Sequence, residues 1–100
     1  MKTLLIDPNV RVLVGTELGH KERERLGFDG IDDSDEKAVV KIETPAILSD
    51  FIRALVGPSV QKLGFERFAE KYHIDAVPGV RESILQTARL EGPIKGTDQI

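Results

Sequence analysis

The length, composition and charge of this chain limit the classes of protein to which it can belong. It has 100 residues, of which 40% are hydrophobic and 31% are charged, and its formal net charge is -3 at pH 7. A chain of this length forms one domain with a single core. Its weak acidity disfavours nucleic acid and anionic membrane surfaces as partners, because both recruit basic patches. The sequence has no cysteine, which excludes disulfides and thiolate sites and fits the cytoplasm as the expected location.

The first third of the chain predicts a β-hairpin followed by a helix. Residues 3–6 and 10–14 have the spacing of short strands, and the Pro-containing turn between them favours an antiparallel hairpin. Alternation places Val10, Val12 and Val14 on one face of the second strand. A helix is expected over residues 17–26. Its run of charged residues is typical of a solvated helix face.

Apolar spacing also predicts the elements of the remaining two thirds of the chain. A kink or a restart of the helix is expected where Gly57-Pro58 interrupts the central helix, because proline removes one backbone hydrogen bond. The predicted elements are an acidic loop over 29–36, a strand over 37–43, a helix from Leu48, a helix over 65–72, a strand over 73–77 and a helix from Pro78 to the Gly92-Pro93 stop.

This alternation of strands and helices predicts an α/β (α+β) fold. In the order β-β-α-β-α(α)-β-α, we expect a four-stranded mixed sheet with an N-terminal β-hairpin and helices packed on it. Residues 1–91 are expected to form one domain. Residues 92–100 are expected to be a loose C-terminal tail, because they offer little apolar surface to bury.

Three stretches of the sequence resemble the motifs of one protein family. The motifs are an internal glycine in the first helix, a serine with an aromatic residue in the central helix, and a glycine-aromatic-lysine ending. They comprise Thr16, Glu17, Leu18, Gly19, Arg23 and Leu26; Ser49, Phe51, Leu55 and Gly57; and Leu63, Gly64, Phe65, Phe68, Lys71 and Tyr72. In order and spacing they resemble a small bacterial family, the STAS-like domains of unknown function. That family is related to anti-sigma-factor antagonists and to the STAS domains of sulfate transporters, so the resemblance implies a STAS-like fold.

The start of the central helix is the leading candidate site. In STAS proteins a serine at this position accepts a phosphate from a partner kinase, so the resemblance implies that Ser49, beside Asp50, is a phospho-acceptor or partner switch. A phosphate there gains from the helix dipole and adds nearly two negative charges. The alternative is that Ser49 only caps the helix. With Thr44, Phe51 and Arg53 as the partner surface, we expect a non-enzymatic regulatory module that binds another protein, such as a kinase-like ATPase or sensor.

A second interpretation is a small ligand- or nucleotide-binding protein, or an enzyme, that uses a cleft at the carboxyl ends of the strands. Its candidate ligand contacts are Gly15 and Thr16, and its signature would be a closed polar pocket near Thr44. A homodimer through an exposed strand edge is a third interpretation. We expect no catalytic residues, no cofactor and no metal, because the acidic loop lacks the ligand order of an EF-hand, and His20 with Glu24 supplies too few ligands for zinc.

Overall fold

The structure, a computed structural model, describes residues 1–92 of the chain. This part is a small α+β domain. In chain order its elements are β1 (Lys2–Leu5), β2 (Val12–Leu13), α1 (Thr16–Leu26), α2 (Phe28–Asp32), β3 (Ala38–Lys41), β4 (Ala46–Ile47), α3 (Ser49–Leu63), α4 (Phe65–Lys71), β5 (Tyr72–Asp75) and α5 (Pro78–Glu91).

The strands form two separate parallel sheets. The main sheet has the order β1-β3-β5, and its register aligns Leu4 with Val40 and Val40 with Ile74. The small sheet consists of β2 and β4, in which Val12 pairs with Ala46. Because side chains alternate along a strand, the aligned Leu4, Val40 and Ile74 share one face of the main sheet, and all three are buried.

The predicted four-stranded mixed sheet with an N-terminal hairpin is wrong. β1 pairs with β3 instead of β2, and β2 leaves the main sheet to pair with β4, where the sequence predicted no strand. The polar contacts that follow β1 explain the difference. The Asp7 N–H donates to the Glu22 carboxylate of α1, 3.0 Å away, while the Asp7 carboxylate accepts from the Asn9 N–H at 3.0 Å. The chain is thereby tied to α1 and does not fold back along β1.

All the crossovers of the main sheet lead in the same direction, from β1 to β3 to β5. Since such crossovers are right-handed, they place the connecting helices on one face of the sheet. The other face, which we call the open face, is directed to solvent in the described part of the chain. Within the strands it carries Thr3, Leu5, Val39, Lys41, His73 and Asp75, all of which are exposed except the half-buried Val39.

α3 is the central helix of the layer, because it packs against α1 on one side and α5 on the other. Of the kink or restart predicted at Gly57-Pro58, the restart is wrong, since α3 continues through Pro58 to Leu63. Pro58 is exposed, so its ring points away from the core. Packing on both flanks of α3 therefore outweighs the loss of one helical hydrogen bond.

The last helix begins at Pro78 as predicted, and Val80, Ile84 and Ala88 form its buried stripe. The acidic segment that was predicted as a loop contains the short helix α2. Of the predicted C-terminal tail, only Gly92 lies within the described residues. No helix among residues 1–92 is long and apolar enough to cross a membrane.

Candidate functional site

The carboxyl ends of the parallel strands and the starts of the long helices meet at one edge of the domain. This is the edge at which open α/β sheets usually bind ligands. The small β2–β4 sheet lies here as well, because β2 follows β1 and β4 follows β3 along the chain. The residues proposed from the sequence can therefore be compared at one location.

Ser49 is the first residue of α3, and its side chain is exposed. The N-cap position is occupied by Leu48 in an extended conformation, and no side chain caps the helix. The interpretation in which Ser49 caps α3 is therefore not supported, and the Ser49 hydroxyl forms no hydrogen bond with other residues in the range 1–92. The side chain remains accessible to a modifying enzyme or a partner.

Asp50 connects the start of α3 to the start of α1. One oxygen of its carboxylate accepts hydrogen bonds from the N–H of Phe51 at 2.7 Å and from the N–H of Gly15 at 3.0 Å. Gly15 has a φ of 103°, a conformation that suits glycine and turns its N–H toward α3. The structure thus brings Gly15 and Asp50 together, although the sequence assigned them to different candidate sites.

The residues proposed as the partner surface are only partly exposed. Phe51 is 0% exposed and belongs to the core, and Thr44 is 4% exposed. The Thr44 hydroxyl donates to the carbonyl of Val10 at 2.9 Å. Among the three, only Arg53 presents its side chain to solvent. A partner at this site would therefore contact Arg53 and would not contact the side chain of Phe51.

The same contacts bear on the ligand-binding interpretation. The N–H of Gly15 and the hydroxyl of Thr44 are already paired within the protein, and Thr16 is exposed. A ligand would have to displace these contacts to use the groups. The described residues thus offer no preformed set of free polar groups around Gly15, Thr16 and Thr44.

An apolar surface lies beside Ser49 on the outer face of the small sheet. Leu13 points inward and is 0% exposed, so alternation directs its neighbours Val12 and Val14 outward. In the paired strand, Ala46 stands beside Val12, and the N–H of Leu48 donates to the carbonyl of Leu13 at 2.9 Å. We call Val12, Val14, Ala46 and Leu48 the apolar patch.

Three of the four members of the apolar patch are well exposed for apolar side chains, and Ala46 is half-buried. The exposed fractions are 42% for Val12, 45% for Val14 and 50% for Leu48. Across a shallow cleft of about 290 Å³, Leu48 faces the start of α5, where Val77 is 56% exposed. The sequence showed that Val12 and Val14 share a face. It could not show that this face is the outer one, because that depends on pairing with β4.

A polar network lies in the interior, where it joins α1, α2, α3 and β5. Arg23 donates to the carbonyl of Leu55 at 2.9 Å and to the hydroxyl of Ser59 at 2.8 Å. It also donates to Asp29 at 2.7 Å and to Asp32 at 2.9 Å. Its guanidinium stacks over the ring of Phe28, 5.5 Å from the ring centroid. The prediction that the charged run of α1 is a solvated face is thus wrong at this residue, which is 7% exposed.

The network also contains the buried hydroxyl of Tyr72. This hydroxyl donates to the Asp32 carboxylate at 2.5 Å, and Ser59 donates to the other oxygen of the same carboxylate at 2.7 Å. Burial, together with the hydrogen bond to Asp32, raises the pKa of Tyr72 above its usual range. Each polar side chain of the network has a partner inside the protein, so the network stabilises the fold and leaves no free nucleophile.

A second buried charge lies at the end of β1. Glu22 is 4% exposed and accepts from Arg25 at 2.6 Å as well as from the Asp7 N–H. The hydrogen bond from Arg25 lowers the pKa of Glu22 below its usual value. Arg25 also donates to the carbonyl of Leu5 at 2.9 Å, on the outer edge of the main sheet. This cluster therefore joins α1 to β1 and is satisfied within the fold.

No group of three or more His, Cys, Asp or Glu side chains in residues 1–92 is arranged to hold a metal ion. Comparisons of the chain with protein-family models, with curated proteins and with solved structures found no match. The site must therefore be interpreted from its own geometry. The features that this geometry offers to another molecule are the apolar patch, the exposed Ser49 and Arg53.

Proposed function

We propose that this chain is a non-enzymatic regulatory module that binds another protein through the apolar patch and the start of α3. The observation that carries the proposal is the outer face of the small sheet, on which Val12, Val14 and Leu48 are each more than two-fifths exposed. Contiguous apolar side chains on a protein surface often mark an interaction site. Water solvates such a surface poorly, so a partner that covers it gains free energy.

The shape of this surface favours a protein over a small ligand. A small-molecule site is typically concave and encloses most of its ligand. Here the apolar patch is the outer face of a small sheet, and the adjacent cleft between Leu48 and Val77 is shallow. A second protein can cover such a surface, whereas a small molecule would remain largely in water.

Ser49 gives this surface a means of regulation. The hydroxyl is exposed, does not cap α3, and follows Leu48 of the apolar patch directly in the chain. A phosphate on Ser49 would place about two negative charges beside apolar side chains, which disfavours their burial against a partner. The proposed relationship to STAS-like domains rests on the sequence motifs, and it makes a kinase-like ATPase or sensor in the cytoplasm the partner class to test first.

The first test of this proposal places a charge in the apolar patch. We expect Leu48→Asp to abolish the capture of a partner from an extract of the native host, because burial of the new carboxylate would be costly. The matched control is Leu90→Asp, since Leu90 is 83% exposed on α5, outside the patch. Quantitative mass spectrometry should find a protein that wild type and the control retain and Leu48→Asp loses. If wild type and both variants capture the same proteins in equal amounts, the apolar patch is not the binding surface.

The second test concerns Ser49 and uses the partner found in this way. We expect Ser49→Asp to weaken binding about tenfold, which corresponds to about 1.4 kcal/mol, and Ser49→Ala to bind like wild type. Gln61→Asp, an exposed position near the other end of α3, controls for the change in net charge. Isothermal titration calorimetry measures the affinities. Equal affinities for wild type and both Ser49 variants would remove the switch while leaving the binding surface intact.

A further inference from the structure

The open face of the main sheet is the most unusual feature outside the proposed partner surface. Parallel sheets are normally covered on both faces, because their connecting helices lie on both sides. Within residues 1–92 the helices cover only the face that carries Leu4, Val40 and Ile74. The sheet therefore presents a flat surface on which a second layer can pack.

The open face has an ordered distribution of charge along the strands. Along β3 and the residues that directly flank it, alternation with the buried Ala38, Val40 and Ile42 extends the open face by one exposed side chain at each end. The side chains of this segment on the open face, from the amino end to the carboxyl end, are Lys37, Val39, Lys41 and Glu43. On β5 the same alternation gives His73 followed by Asp75, and the register aligns His73 with Val39. The amino end of the face is thus basic and the carboxyl end carries the acids.

We propose that the open face packs against the open face of a second copy of this chain, about a two-fold axis perpendicular to the strands. Such an axis lays each strand antiparallel over the same strand of the second copy. It places Lys37 over Glu43 of the second copy and His73 over Asp75 of the second copy. Each of these pairings occurs twice, because the interface is symmetric. The stem of Lys41 covers the apolar Val39 of the second copy.

The charges on the face distinguish this arrangement from the other two-fold packing. An axis parallel to the strands would place Lys41 over Lys41 of the second copy and the apolar Leu5 over Asp75. The first contact repels, and the second buries a carboxylate against an apolar side chain. The perpendicular axis creates neither contact. The observed order of charges therefore selects a single symmetric dimer.

The area of the open face limits the strength of this dimer. Three strands about 4.8 Å apart, with four side-chain rows about 6.6 Å apart, give a footprint on the order of 300 Å². Stable interfaces bury roughly 800 Å² on each partner, so this dimer is weak. Because opposite charges contribute to it, salt weakens it further.

The test measures self-association of the full chain by sedimentation equilibrium at low ionic strength, from about 10 μM to about 1 mM. We expect the average mass to rise with concentration from the 11.1 kDa of one chain toward twice that value. Lys37→Glu alone and Glu43→Lys alone should each weaken association at least tenfold, since each creates like-charge contacts. The double variant Lys37→Glu/Glu43→Lys should restore it. Glu82→Lys on the exposed side of α5 is the control and should associate like wild type.

Three results would overturn this proposal. They are a monomer at every concentration, a double variant as weak as the single variants, or association that no variant on the open face changes. The last result would indicate a different self-contact, such as one through a strand edge. None of these three results concerns the apolar patch, which lies at the carboxyl edge, so the dimer and the partner surface can fail independently.

Discussion

At the scale of single residues, Arg23 has the greatest structural consequence. Its guanidinium donates to the carboxylates of Asp29 and Asp32 on α2 and to acceptors on α3, and its side chain is 8% exposed. A buried cation is tolerated only where opposite charge and hydrogen bonds replace its water. Asp32, whose side chain is 0% exposed, supplies that charge. Each of these two residues therefore requires the other.

We predict that Arg23→Met lowers the free energy of unfolding by about 3–5 kcal/mol, because it leaves Asp32 buried without a cation. Urea denaturation followed by circular dichroism measures the loss. Lys21→Met is the matched control on an exposed position of α1, and it should change stability by less than about 0.5 kcal/mol.

The mutual dependence of Arg23 and Asp32 can be tested by removing both charges together. We expect the double variant Arg23→Met/Asp32→Leu to be more stable than Arg23→Met alone, since no buried carboxylate then remains unpaired. If Arg23→Met and Lys21→Met are equally stable, the network does not hold the fold together.

One feature of the sequence indicated that Arg23 faces the core. Gly19, Arg23 and Leu26 are spaced i, i+4 and i+7, which is the spacing of one helix face, and Gly19 and Arg23 are both buried in the structure. The charged neighbours of Arg23 nevertheless favoured a solvated face. Its acceptors lie on α2 and α3, and their positions depend on tertiary packing that a local pattern does not specify.

At the scale of elements, the contact between α1 and α3 depends on Gly19. A Cβ at Gly19 would lie 2.6 Å from the Cβ of Ala54 and 2.7 Å from the carbonyl oxygen of Phe51. Both distances are shorter than van der Waals contact, so the absence of a side chain lets the two helices approach closely. This contact also brings Arg23, one turn later on α1, within reach of Leu55 and Ser59.

We predict that Gly19→Ala destabilises the fold by about 1–3 kcal/mol, because the added methyl group pushes α1 away from α3. Gly30→Ala is the matched control, since a Cβ at Gly30 would meet no atom within 4 Å. Alanine is the better helix former, so the control should be neutral or stabilised by up to about 1 kcal/mol. Thermal unfolding of both variants measures the difference. A Gly19→Ala protein at least as stable as Gly30→Ala would contradict the close helix contact.

The helices were predicted better than the strands. Apolar spacing located α1, α3, α4 and α5, because a helix is determined largely by residues near in sequence. It missed α2, whose five residues lie in an acidic segment, and β4, whose two residues pair only with β2. Short elements of this kind form because their partners hold them in place, so their own residues carry little signal.

At the scale of the whole molecule, the sequence predicted an α/β arrangement but not how the strands pair. The short link between the first two strands favoured a hairpin, whereas the contacts of Asp7 with α1 direct β2 to a separate sheet. The apolar patch arises from that same displacement, because it turns Val12 and Val14 outward. Ser49 could be located from the sequence alone, since its place depends only on where α3 begins.

The strand order also determines when the main sheet can form during synthesis of the chain. β1 has its main-sheet neighbour in Ala38–Lys41, and the sheet is complete only when Tyr72–Asp75 is added. A nascent chain that leaves the ribosome from its N-terminus therefore carries β1 without a neighbouring strand until β3 has emerged. Contacts between such distant segments form slowly compared with local ones. The hydroxyl of Tyr72 reaches Asp32 only at that late stage, so the polar network of the interior is completed only after β5 has been synthesised.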